Sequence, residues 1–123
     1  MEVLAGRVLL RPVDPERSQA FYRDTLGLAV YREFEGGVVF FLGGGFLEVS
    51  GRAEEAAGRN VALWLQVRDV DAAHEELAAA GVPILREPTT EPWGLREMWI
   101  ADPDGVRIAV IEVPADHPLR KRL

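Results

Sequence analysis

Apolar and polar residues recur along the chain with two periods, and the same order of periods occurs twice. Positions 8–10 are a short apolar run stopped by Arg11-Pro12, which predicts a brief strand. Helical spacing follows. Asp14 is placed to cap, Pro15 takes the first helical position, where a missing N–H costs nothing, and Phe21, Tyr22 and Leu26 supply an apolar stripe that Gly27 ends with a left-handed cap. In the second half Val61, Leu63, Leu65 and Val67 alternate with Ala62, Trp64 and Gln66, the period of a strand with two distinct faces. Asp69 then caps a helix with apolar positions Val70, Ala73, Leu77 and Ala80, and Gly81 ends it. Val13 and Gly27 stand the same interval apart as Val67 and Gly81, so the two units are in step, a weak internal duplication.

Three further strands are predicted after each helix. In the first half they cover 28–34, 38–42 and 46–50, with Gly36-Gly37 and Gly43-Gly44-Gly45 allowing tight hairpins. In the second they cover 83–86, 97–101 and 106–113, the last two joined by Asp102-Pro103-Asp104-Gly105, a strong turn signal. Each half therefore reads as strand, helix, strand, strand, strand. Module one covers about 7–50, an Ala-, Glu- and Gly-rich linker 51–60, module two about 61–113 and a tail 114–123, all within a single domain over 1–123.

Composition narrows the chemistry. With 48% hydrophobic and 28% charged residues in 123, the chain has enough apolar material for a core, which excludes disorder. No apolar run approaches the roughly 18 residues of a membrane span, and Met1 to Arg7 lacks the basic and apolar pattern of a leader, so a cytoplasmic protein without membrane contact is expected. The absence of cysteine excludes disulfides, thiolate metal sites and cysteine nucleophiles. Fourteen basic residues against 20 acidic give a net charge of −6, which repels a phosphate backbone, so no nucleic-acid partner is expected. The one basic cluster, Arg120-Lys121-Arg122, reads as a solvated terminus.

The run Val13-Asp14-Pro15-Glu16-Arg17-Ser18, then Phe21-Tyr22-Arg23-Asp24 and Leu26-Gly27-Leu28, with Asp102-Pro103-Asp104-Gly105 before the last strand, resembles the vicinal oxygen chelate superfamily of glyoxalase I, bleomycin-resistance proteins and extradiol dioxygenases. The resemblance covers 7–113. Glu91-Pro92-Trp93-Gly94 before Arg96-Glu97 is most similar to the bleomycin-resistance branch. It implies an α+β fold of two βαβββ modules whose curved mixed sheets surround a ligand groove, usually in a homodimer. Open sheet edges and an apolar concave face also favour a two-fold partner.

Enzymes of the superfamily hold a divalent ion with four side chains, and the resemblance maps those positions to Arg7, Glu48, Ala62 and Ala109. Only Glu48 is a donor there, whereas a zinc or non-haem iron site needs about three protein ligands. His74 falls in the second helix and His117 in the tail, both off the groove strands. No metal and no other cofactor is therefore expected. Glu48 admits two readings, a general base with a raised pKa or an ion pair with Arg7 where the ion would sit, and the ion pair is favoured because no second acid, base or nucleophile stands out.

Strand alternation sets Trp64 on the face of Ala62 and Gln66, Phe46 beside Glu48, and Trp99 beside Glu97 and Ala101, while Trp93 lies in the loop expected at the groove rim. Such rings suit stacking on a planar ligand, and filling a core or dimer interface is the other use for them. Ala62 and Ala109 are expected to open the groove floor, and Gln66 and Arg107 to orient polar ligand groups or be solvated at strand ends. The expected function is metal-independent binding of an antibiotic or other natural product, conferring resistance by sequestration. A lyase, isomerase or dioxygenase using Glu48 as base or a displaced metal site is the alternative, and a metabolite-binding module a third reading. Net charge favours a cationic ligand, whereas Arg7 and the tryptophans favour a planar one with acidic or carbonyl groups.

Overall fold

The computed structural model describes residues 1–121, so Arg122 of the predicted basic cluster lies outside the described residues. The chain forms two compact units, the first over Met1–Ala57 and the second from Gly58 onward. Each is a four-stranded mixed sheet with a helix on one side, and the fold is α+β.

In module one the elements are β1 (Val8–Leu10), α1 (Pro15–Ala20), β2 (Val30–Phe34), β3 (Gly37–Leu42) and β4 (Gly45–Ser50). The sheet order is β1-β4-β3-β2, with β1 parallel to β4 and the other pairs antiparallel. Asp14 caps α1 as the sequence predicts, its Oδ1 accepting from the Arg17 N–H at 3.2 Å. Such a cap contributes about 1 kcal/mol. Beyond Ala20 the helix widens into a π turn over Phe21–Thr25, where the Leu26 N–H reaches the Phe21 carbonyl at 2.9 Å. Gly27 then takes φ 72°, and the Leu28 N–H returns to the Tyr22 carbonyl. That return bond holds Leu28 in the cap, so β2 starts at Val30 rather than at the predicted position 28. Tyr22 packs its ring against Phe40 at 6.2 Å, over a core of Val38, Phe40, Leu47 and Val49.

Module two repeats the topology with β5 (Ala62–Val67), α2 (Val70–Ala79), β6 (Ile84–Thr90), β7 (Arg96–Ala101) and β8 (Arg107–Glu112) in the order β5-β8-β7-β6. Asp69 caps α2 through the Ala72 N–H at 3.0 Å, and Gly81 ends it at φ 80°. Val70 and Leu77 bury α2 against a layer that includes Leu63, Met98, Ile100, Ile108 and Val110. Full burial of side chains of this size contributes roughly 1.5–3 kcal/mol each.

Four expectations are corrected in module two. Val61, assigned to the packed face, precedes the strand and is 60% exposed, and Ala80, expected on the apolar side of the helix, is an exposed residue capping the end of α2. β6 continues to Thr90, past the predicted end at 86 and through Pro88. An edge strand tolerates proline because its missing N–H faces no neighbour, and the pairing of β6 with β7 shifts register twice along this stretch. Val106 belongs to the preceding turn rather than to β8, because its N–H is held by the buried Asp102 Oδ1 at 2.9 Å, which also accepts from the Asp104 N–H at 2.8 Å. A short helix, α3 (Pro118–Lys121), follows in the tail. Among the described residues no helix is long and apolar enough to cross a membrane.

Candidate ligand-binding faces

Since successive residues of a strand point to opposite sides, each sheet has one side under its helix and one side turned away from it. In module two the side away from α2 is written by the register. Trp64 pairs with Ala109, Ala109 with Trp99, and Trp99 with Arg86, while Ala62, Arg107 and Ala101 form the neighbouring row. Gln66, Ile111 and Glu97 form the row on the other side. The predicted face is thus present, with Trp64, Gln66, Trp99 and Arg107 all on it.

A cleft of about 470 Å³ opens on this face, lined by Arg59, Ala62, Leu85, Arg86, Trp99 and Arg107. Its size falls in the range of small-molecule sites. Trp99 is half-buried and packs against Leu95, Ala109, Ile111 and Val113, so the core holds the indole of the cleft wall in place. The Ala62 methyl lines the opening as expected. Ala109 does not: it is 3% exposed, covered within the cluster that Trp99 packs on, and opens no floor. Trp64 is 52% exposed on the same face but outside the cleft lining, as are Gln66 and Trp93.

The Trp93 loop is latched rather than free. Trp93 Nε1 donates to Glu97 Oε2 at 2.6 Å, and Glu97 is buried. The loop closes through the Glu91 N–H to the Leu95 carbonyl at 2.8 Å, and Gly94 takes φ 92°, a left-handed conformation that favours glycine. His117 sets a ring nitrogen 3.1 Å from the Trp93 carbonyl, which gives this tail histidine a bracing role. Arg86 donates to the Glu91 carboxylate and, at 3.3 Å, to the Glu97 carbonyl.

In module one the matching side carries an ion pair. Arg7 Nη1 donates to Glu48 Oε1 at 3.0 Å, and the Ser50 hydroxyl donates to Glu48 Oε2 at 2.7 Å. The Ser50 hydrogen bond, then the Arg7 hydrogen bond and charge with Arg32 beyond, hold the Glu48 carboxyl below its ordinary range against the opposing effect of burial. This direction is opposite to the raised pKa of the base reading, and the expected Arg7 pairing is present. Beyond the pair, Tyr31, Phe41 and Phe46 form an aromatic cluster with ring centroids 4.7–5.6 Å apart. Phe46 lies on the Glu48 face as alternation predicts; Tyr31 and Phe41 join it there, Tyr31 at a bulge in β2 outside the regular alternation.

The fold's metal positions are testable within each module. Leu9 pairs with Glu48 as Trp64 pairs with Ala109, so Arg7 and Glu48 stand in their sheet where Ala62 and Ala109 stand in theirs. The residues present do not fit a divalent ion. Two are methyl groups, one is a permanent cation, and both oxygens of the single carboxylate are taken. Among the described residues one carboxylate cluster exists elsewhere, Asp69, Asp71 and Glu112, with oxygens within 4.8 Å of one another. Each is engaged at the start of α2: Asp69 as the cap, Glu112 accepting from the Val70 N–H at 3.0 Å, and Asp71 bidentate with Arg96 at 2.8 and 2.9 Å.

Two βαβββ units of equal topology, each with a sheet side left clear of its helix, define the two-module chelate architecture. The chain belongs to the Glyoxalase/Bleomycin resistance protein/Dioxygenase superfamily, whose family model matches residues 5–110. Among solved structures, one similar chain is a protein of unknown function from Agrobacterium tumefaciens, 29% identical, with 93% of this chain and 95% of that one covered and a TM-score of 0.77. A superfamily member from Sphaerobacter thermophilus is 25% identical over 90% and 98% of the two chains, TM-score 0.77. A glyoxalase-related enzyme from Fulvimarina pelagi is 26% identical over 94% and 91%, TM-score 0.75. A comparison with curated proteins gives no match.

Proposed function

We propose that the protein binds a small planar organic molecule on the open sheet side of module two without a metal and without turnover, in the manner of the bleomycin-resistance branch, and protects its cell by sequestering that molecule. One observation carries the reading: a tryptophan-walled cleft of about 470 Å³ has Ala62 in its lining and Ala109 packed behind Trp99, positions whose methyl groups cannot hold an ion. Capture needs affinity alone, and an indole fixed by core packing supplies a stacking surface with little ordering cost. No acid–base pair lines the cleft, whose ionisable side chains are all arginine. Enzymatic turnover, the reading favoured by the glyoxalase-related relative, requires a donor set or a base that these residues do not supply.

The test combines capture with protection. Tryptophan fluorescence titrated with a panel of planar antibiotics is expected to quench with at least one, and cells expressing the protein are expected to survive that compound while it remains chemically intact. Disappearance of the compound with formation of a product, or protection lost on chelation, contradicts sequestration. A homodimer belongs to the same proposal, supported by the open edges β1, β2, β5 and β6. Sedimentation is expected at twice the 13.6 kDa chain mass, and a stable monomer contradicts it.

A further inference from the structure

The cleft of module two has an uneven charge balance. Three of its six lining residues are arginines and none is acidic, on a chain whose net charge is −6. Arg86 is already neutralised by Glu91. Arg59 and Arg107 differ from it: among the described residues neither has an ion pair or a side-chain hydrogen bond, although acidic residues outnumber basic ones over the whole sequence. Arg107 rises from β8 between Ala62 and Ala101, whose methyl groups offer its guanidinium nothing to bond. A guanidinium presents five N–H donors in a flat fork that matches a carboxylate. Trp99 stands in the same lining, its indole backed by the core.

From this juxtaposition we infer that the cleft selects an aromatic anion: Trp99 takes the ring, and Arg59 and Arg107 take a carboxylate or an equivalent acidic group attached to it. The inference rests on the binding reading above and names its ligand class. It reverses the preference for a cationic ligand that net charge alone suggests, because local unpaired charge at a cleft outweighs distant charge screened over about 10 Å.

The test uses three probes of one shape, 2-naphthoate, 2-naphthamide and 2-naphthylmethylammonium, titrated by calorimetry and tryptophan fluorescence. The acid is expected to bind roughly tenfold or more tightly than the amide, an advantage that shrinks with added salt, and the ammonium more weakly than either. Arg59→Gln and Arg107→Gln are each expected to cut the acid's advantage over the amide several-fold, weakening the acid far more than the amide. Arg52→Gln, an exposed linker position in the first compact unit, is expected to change nothing. Trp99→Phe is expected to remove most of the quenching and to weaken all three probes together. Equal binding of acid and amide, or an acid preference untouched in Arg107→Gln, overturns the anion assignment while amide binding keeps the proposed function standing. Failure of all three probes to bind overturns both, and tightest binding of the ammonium overturns the assignment in favour of a cationic ligand.

Discussion

Module one sets Leu9, Glu48, Val39 and Arg32 side by side in one row across its sheet, and module two sets Trp64, Ala109, Trp99 and Arg86 in the corresponding row. On the other side of each sheet the two are alike: Val38, Phe40, Leu47 and Val49 in one, Met98, Ile100, Ile108 and Val110 in the other, all buried in the core. The duplicated topology thus keeps the side under the helix apolar in both modules and lets the residues of the other side differ. Where module one ties Glu48 of its row to Arg7 and Ser50, module two uses two indoles and a methyl group, and a cleft with free guanidinium groups lies beside them.

The shared side is the costliest to break. Phe40→Ala in module one and Met98→Ala in module two, both fully buried, are each expected to lose about 2–5 kcal/mol in denaturant unfolding. A loss confined to one of the two would mean that the cores are less alike than the register suggests. Next comes the turn that only module two has. Asp102→Ala leaves the Asp104 and Val106 N–H groups without their carboxylate and is expected to cost about 1–3 kcal/mol.

The ion pair of module one is worth less, being partly solvated. Glu48→Gln is expected to destabilise by no more than about 1 kcal/mol at neutral pH. Its pH dependence has a fixed sign. Because the folded carboxyl titrates below its ordinary 4.5, the contribution is complete above that value and disappears as pH falls through the lower folded value, so wild type and variant are expected to converge in acid. Divergence in acid would contradict the pairing. Asp71→Asn, which breaks an exposed bond to Arg96 at the start of α2, is expected to have the smallest effect, with the same convergence below the ordinary 3.8.

Local chemistry made much of this legible. The caps at Asp14 and Asp69, the left-handed ends at Gly27 and Gly81 and the Asp102 turn each depend on a few adjacent residues, and strand alternation alone set Trp64, Trp99 and Arg107 on one face. The Arg7–Glu48 pair came from register between strands, which the resemblance supplied. What escaped depends on irregularity. The π turn shifts Leu28 out of β2, a bulge brings Tyr31 to Phe41 and Phe46, and Pro88 with two register shifts hides β6, which carries Arg86. Arg59 sits in the linker stretch before β5, where no period indicates a direction. The two cleft residues with the least sequence signal are thus an arginine before a strand and an arginine on an irregular one.

The most direct measurement is a calorimetric titration of 2-naphthoate into the protein, run once in buffer with a strong chelator and once with added zinc or manganese. One binding event of the same affinity is expected in both, sensitive to Trp99→Phe. Binding that appears only with the metal ion would contradict this expectation.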